Sequence, residues 1–140
     1  GLSAARMDFF MQGNYQVQKN KLELSAGAGA GVIRSIFQGR IFPQATVRGS
    51  YFFVDKPAIQ FGPTVSLNFA GMRLNASNSN IHFWQQYYAG YCLTAGKRFK
   101  LVHILEVGPM FETYYIEPSA TRNTVGTIGY SLQVGCRYAL

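Results

Sequence analysis

No run of about 18 apolar residues occurs anywhere in this chain of 140 residues, so no membrane-spanning helix can be drawn in it. Charge is scarce as well: Asp, Glu, Lys and Arg make up 14% of the residues, against roughly 25% in an ordinary soluble domain. The two cysteines and two histidines are too far apart for any zinc-ligand spacing, so neither a metal nor a cofactor is expected. Gly27 and Gly29 do not continue into a dinucleotide fingerprint, because position 32 is valine. Gly27 and Gly31 have a GxxxG spacing, but Glu23 and Arg34 bracket it too closely for a helical span. The first twenty residues lack a basic start followed by an apolar core of about 7–15 residues. No secretion signal is read, and an exported protein would be present in a mature or trimmed form. The length fits one domain, 1–140.

Aromatic residues reach 15% and glycines number 15, and their arrangement is periodic. From Leu22 to Val32 one alternate set is Leu22, Leu24, Ala26, Ala28, Ala30 and Val32, and the other is Glu23, Ser25, Gly27, Gly29 and Gly31. A period of two is that of a β-strand with unlike faces. The division recurs in about seven segments: Met7 to Val17, Leu22 to Val32, Gln44 to Phe53, Ala58 to Met72, His82 to Gly96, Leu101 to Tyr115, and a last one ending at Leu140. Over these segments the apolar phase carries no Asp, Glu, Lys or Arg. An Arg or Lys at mid-depth on a lipid face costs about 2–4 kcal/mol, which clears that phase and spares the other. The expected fold is all-β, an antiparallel up-and-down transmembrane β-barrel of the outer-membrane type.

The connections alternate in length: short at 18–21, 54–57 and 97–100, longer at 33–43, 73–81 and 116–123. Short periplasmic turns and longer external loops place the C-terminus on the periplasmic side of a bacterial outer membrane. Bacterial single-chain barrels have even strand numbers, so eight strands are expected where seven are counted. The eighth comes from residues 1–6, from a trimmed N-terminal strand, or from a partner that completes the wall.

An eight-stranded interior is just wide enough to be filled by side chains, here Phe10, Phe52, Trp84, Tyr88, Met110 and Tyr114. Asp8, Glu23, Arg48, Glu106, Glu112 and Arg137 share that interior phase. Ionised groups there need partners, so Arg48 and Arg137 are expected to bridge the acids, with Glu106 as the shared partner. Cys92 and Cys136 fall on opposite phases, which predicts no disulfide between them.

A net charge of +7 raises nucleic acid as a partner, but the placement of the charge argues against it. Lys19, Lys21, Lys56, Lys97, Arg98 and Lys100 lie in the short connections, and Arg34, Arg40, Arg73 and Arg122 lie in or beside the longer ones. Such rim residues are solvated or meet lipid phosphates. The four arginines are the candidate headgroup contacts, and outer-membrane lipids including lipopolysaccharide are the expected partners.

The chain ends Gln133-Val134-Gly135-Cys136-Arg137-Tyr138-Ala139-Leu140. This end resembles the C-terminal signal read by the barrel-assembly machinery, with Gln133, Gly135, Tyr138 and Leu140 at its specified positions; Leu140 stands where Phe is commoner. Phe61-Gly62-Pro63 and Val107-Gly108-Pro109 recur at corresponding places in two strands. Such Gly-Pro steps resemble those of the small outer-membrane β-barrel family, which in architecture includes the transmembrane domain of outer-membrane protein A and outer-membrane protein X. Proline cannot donate to a ladder and glycine permits a bulge, so each step is expected to mark a bend.

The expected protein is a non-enzymatic barrel with a plugged lumen, serving as membrane anchor, adhesion surface or accessory subunit of a larger outer-membrane complex. Two other activities stand as alternatives. Some small outer-membrane barrels of similar size modify lipid A with a Ser, a His and an acid; His103 is the one histidine on the apolar phase, with Leu101 and Leu105 beside it, and an interfacial headgroup contact is the expectation for it. No catalytic residue is assigned. The other alternative is a narrow channel for small or hydrophobic solutes. His82 is read as a solvated base near Trp84 at the external rim, and Asn75-Ala76-Ser77, although it fits a glycosylation sequon, as a flexible loop.

Overall fold

The computed structural model describes residues 7–34, 40–73, 81–116 and 121–138, with turns at 20–21, 52–53, 57–58 and 96–98 included; side chains are described over 11–31, 42–71, 83–113, 122 and 124–138. The elements are β1 (Met7–Lys19), β2 (Leu22–Arg34), β3 (Arg40–Tyr51), β4 (Val54–Lys56), β5 (Ile59–Arg73), β6 (Ile81–Ala95), β7 (Phe99–Ile116) and β8 (Thr121–Tyr138). All pairings are antiparallel, in the order β1-β2-β3-β5-β6-β7-β8, with β4 on β5. The architecture is therefore one all-β meander. Among the described residues β1 and β8 do not pair, so the sheet is open between these two edges.

The alternation read from the sequence sets the two faces. Met11, Tyr15, Leu24, Val47, Val65, Tyr91, Leu105, Ile128 and Tyr130 are exposed on one face, Met11 at 85% and Ile128 at 79%. Glu23, Thr46, Arg48, Ser50, Thr64, Ser66, Asn68, Thr94 and Glu106 are buried on the other. A soluble sheet places its apolar residues inside; this one is inverted. The sheet also curls, because inward side chains of β2 and β3 reach those of β7 and β8.

Strand bounds differ from the sequence reading at several places. The strands run deeper into the longer connections, so β2 ends at Arg34 and β3 already begins at Arg40; Ile41, Phe42 and Pro43 are strand, paired with Val32, Gly31 and Ala30. Asp55 and Lys56 belong to β4, so the turn is Pro57–Ala58. At the first hairpin two residues suffice, Asn20 taking φ 55°, a left-handed conformation that asparagine tolerates.

The short β4 exists because of a bulge. Ser50 pairs with Thr64, and the next pair is Val54 with Phe61. Tyr51, Phe52 and Phe53 therefore stand opposite Gly62 and Pro63. The extra residue lets Tyr51 and Phe53 face outward while Phe52 points in, 0% exposed. The Phe52 amide donates to the Lys21 carbonyl at 2.7 Å. A Cβ at Gly62 would collide with the Tyr51 carbonyl oxygen, so glycine is required for this approach. The Phe61-Gly62-Pro63 step, where a bend is expected, stands opposite this bulge. At Val107-Gly108-Pro109 no such bulge occurs: the β6–β7 ladder lapses between Gln86↔Met110 and Ala89↔Val107 but resumes in the same register. Proline interrupts that ladder by lacking a donor, without adding a residue.

Candidate functional site

The inner face carries the chemistry. Arg48, in the second half of β3, meets Glu106 of β7 through Nε–Oε1 and Nη2–Oε2 contacts of 3.3 Å each. Its Nη2 also donates to Gln133 Oε1 of β8 at 2.9 Å, and Gln133 Nε2 donates to Ser131 Oγ at 3.1 Å. Arg48 is 5% exposed and Glu106 1%. A charge so buried persists only when paired, and truncating one member of such a pair costs about 3–5 kcal/mol.

Arg137 of β8 makes a second, separate bridge. Its Nη1 and Nη2 donate to Glu23 Oε2 and Oε1 of β2 at 2.7 and 2.9 Å, the parallel two-bond geometry in which guanidinium and carboxylate fit best. The expectation that Glu106 serves both arginines is corrected: each arginine takes its own acid. The reason is depth, since Glu23 and Arg137 lie near the turn end of their strands and Glu106 lies mid-strand. Glu112 is half-buried on the same face, six residues farther along β7, opposite Trp84 and Val125. The side chain of Asp8 lies outside the described residues.

Uncharged polar groups fill the space around the ion pairs. Thr46 Oγ1 donates to Asn68 Oδ1 at 2.7 Å and lies 3.1 Å from Gln12 Oε1. Asn68 Nδ2 donates to Ser66 Oγ at 3.3 Å, and Ser50 Oγ to Thr64 Oγ1 at 3.0 Å. Toward the turn end Gln60 is a hub that no sequence pattern singles out. Its Nε2 donates to Asp55 Oδ1 at 2.8 Å and to Gln18 Oε1 at 3.3 Å; its Oε1 accepts from Thr94 Oγ1 at 3.1 Å and Lys100 Nζ at 3.0 Å. One amide thus ties together β1, β4, β5, β6 and β7.

Two apolar layers flank the Arg48–Glu106 pair. Phe52, Cys92 and Ile104 pack with Val102 on the turn side, and Phe42, Ala70 and Trp84 pack with Met110 on the other. Phe42 and Trp84 rings lie 5.9 Å apart. Phe42 fits because its ring covers Gly31, where a Cβ would strike it. Phe52, Trp84, Tyr88 and Met110 fill the interior as the sequence reading expects; Phe10 and Tyr114 side chains lie outside the described residues. A cavity of about 610 Å³ remains along the open edges, lined by Gln12, Asn14 and Gln16 of β1, by Gln133 and Arg137 of β8, and by Arg48.

The other sequence-derived residues are scattered. Arg122 is exposed near the start of β8; Arg34, Arg40 and Arg73 occupy strand ends, and their side chains lie outside the described residues, as does that of His82. His103 is exposed on the outer face, with Leu93 and Val134 beside it in register and Leu101 and Leu105 along its strand. Of the C-terminal signal positions, Gln133 faces inward to Arg48, Gly135 is exposed and Tyr138 is 65% exposed on the outer face; Leu140 lies outside the described residues. Cys92 is buried on the inner face and Cys136 exposed on the outer, both as free thiols. Among the described residues no three His, Cys, Asp or Glu side chains gather into a metal site. No protein-family model matches the chain, and no curated protein or solved structure matches it.

Proposed function

We propose that this chain forms the wall of a small, non-enzymatic β-barrel of a bacterial outer membrane, its lumen plugged by its own side chains, which serves as a membrane anchor, adhesion surface or accessory subunit of a larger outer-membrane complex. One observation carries this reading: large apolar side chains stand exposed over the whole outer face while the charged pairs are buried inside. A continuous apolar surface far above a few hundred Å² makes a soluble monomer aggregate. In lipid the same surface is the stable one, and the inward charges Arg48 and Arg137 are each paired with an acid.

Closure takes an eighth long strand. Six antiparallel steps separate β1 from β8, so these edges run in the same direction. A strand inserted between them is antiparallel to both and continues the meander. The polar cavity and the unpaired edges support this placement. With the turns at 20–21, 57–58 and 96–98 on the periplasmic side, the barrel-assembly machinery acts on the C-terminal strand during biogenesis.

The test is heat-modifiable gel mobility after refolding from urea into detergent micelles. A barrel gives a compact band that shifts on boiling; a chain that stays monodisperse without detergent refutes the membrane reading. Co-purification of the full-length protein with a larger outer-membrane assembly would select the accessory-subunit role.

A further inference from the structure

The basic turn end of the sheet is a distinct surface. Strand alternation brings the turns 20–21, 57–58 and 96–98 to one end, together with the last residues of β8. Lys19, Lys21, Lys56, Lys97 and Arg98 are exposed there. Among the described residues two carboxylates lie at this end. Glu23 is buried and held by Arg137, and Asp55 accepts from Gln60. Lys100, the sixth basic residue, donates inward to Gln60. Five exposed cations therefore face one exposed carboxylate.

Immediately below these cations, on the outer face, lies an aromatic and aliphatic collar. Tyr51, Phe53, Phe99 and Tyr138 are each more than half exposed. Phe53 meets Phe61 edge-on with centroids 5.2 Å apart, and Phe61 stacks on Tyr91 at 5.6 Å. Phe99 and Tyr138 are register partners on neighbouring strands. Aromatic rings with one apolar and one wet side settle at the headgroup level. Lysine stems above such a collar lie along apolar surface and lift their ammonium groups to phosphate depth.

The geometry points to a binding surface for anionic glycerophospholipid: we propose that the turn-end ring of Lys19, Lys21, Lys56, Lys97 and Arg98, set above the Tyr51–Phe53–Phe99–Tyr138 collar, selects lipids with a net negative headgroup in the leaflet at that end. This rests on the membrane reading above. Charge complementarity supplies the selectivity, since a zwitterionic headgroup offers the same phosphate with its own cation beside it. The ring is spread over three turns, so it recruits an annulus of several lipids rather than one.

The test uses the refolded 140-residue chain in phosphatidylcholine bilayers containing a trace of spin-labelled lipid. The motionally restricted fraction is compared between labelled phosphatidylglycerol and labelled phosphatidylcholine. The expected preference for phosphatidylglycerol is about threefold in low salt, declining toward parity as ionic strength approaches ~1 M. The variant K19Q/K21Q/K56Q/K97Q/R98Q is expected to show parity at all salt concentrations. If the fivefold variant does not refold, K19Q/K21Q and K97Q/R98Q are each expected to lose part of the preference. Equal preference in wild type and variants overturns the proposal, as does parity in the wild type. A chain that does not enter phosphatidylcholine bilayers at all overturns the membrane reading instead.

Discussion

Arg137 and Glu23 lie 114 residues apart in sequence, yet two hydrogen bonds of 2.7 and 2.9 Å join them across the interior of the sheet. The bridge links β8, an edge strand, to β2, the neighbour of the other edge, and so draws the two ends of the open sheet toward each other. Replacing Glu23 with Gln leaves a guanidinium facing a neutral amide, and an expected loss is about 2–3 kcal/mol, below the fully buried range because Arg137 is 14% exposed. Arg48→Met should cost about 3–5 kcal/mol, since it strands Glu106 in the interior. The double variant R48M/E106L should recover most of that loss, because no charge is then left unpaired. Urea unfolding in lipid vesicles, read as a double-mutant cycle, measures all three.

Placing a charge on either face separates the two environments. Leu132→Arg adds a cation to the outer face midway along β8, where Leu105 is its register partner. In a bilayer the expected penalty is about 2–4 kcal/mol. Lys19, in the same outward alternation but at a strand end, should accept Arg with no more than about 0.5 kcal/mol change. If Leu132→Arg is as silent as Lys19→Arg, the outer face is not in lipid.

How much of this was legible beforehand follows from what alternation can and cannot encode. The phase of each of the seven long strands was readable because a one-residue slip would exchange Leu24 for Glu23 at the surface. The strand limits were less so. Phe42 sits between Arg40 and Pro43, residues that read as a loop, although its ring is buried over Gly31. The inward turn of Phe52 and the outward turn of Phe53 follow from the alternation, but nothing in the sequence marks the extra residue opposite Gly62 and Pro63. Partner choice was out of reach: Arg48 and Arg137 were recognisable as interior cations, but assigning Glu106 to one and Glu23 to the other requires the depth of each residue along strands far apart in the chain. The amide of Gln60 carried no sequence signal at all, since any glutamine on an inward phase looks the same.

Glycine positions give a prediction that separates folding from delivery. Gly62→Ala brings a Cβ against the Tyr51 carbonyl at the bulge, so refolding in detergent should fail or lose more than about 2 kcal/mol. Gly135→Ala meets no atom within 4 Å, and refolding in detergent should be within about 0.5 kcal/mol of wild type. If Gln133, Gly135, Tyr138 and Leu140 act as a signal for the assembly machinery, Gly135→Ala should nevertheless reduce the amount of heat-modifiable protein in the outer membrane of cells. Equal levels of wild type and variant in that membrane would remove Gly135 from the signal.

The open edge makes a prediction about main-chain protection. β5 and β6 are paired on both sides over most of their length, whereas β1 and β8 each have one paired side. Half of the amides of β1 and β8 therefore point into the gap, and hydrogen exchange of the refolded 140-residue chain should show an alternating pattern along Met11 to Lys19 and along Arg122 to Tyr138. Every second amide should exchange faster than its neighbours by at least about a hundredfold, while β5 and β6 exchange slowly throughout. When an eighth strand is supplied, the fast amides of both edges should slow together, because one inserted strand bonds to both. Slowing at β1 alone would mean that the strand pairs on one side and leaves β8 free. Uniform slow exchange along both edges in the 140-residue chain would mean that these edges already meet, and the eighth strand would then be unnecessary.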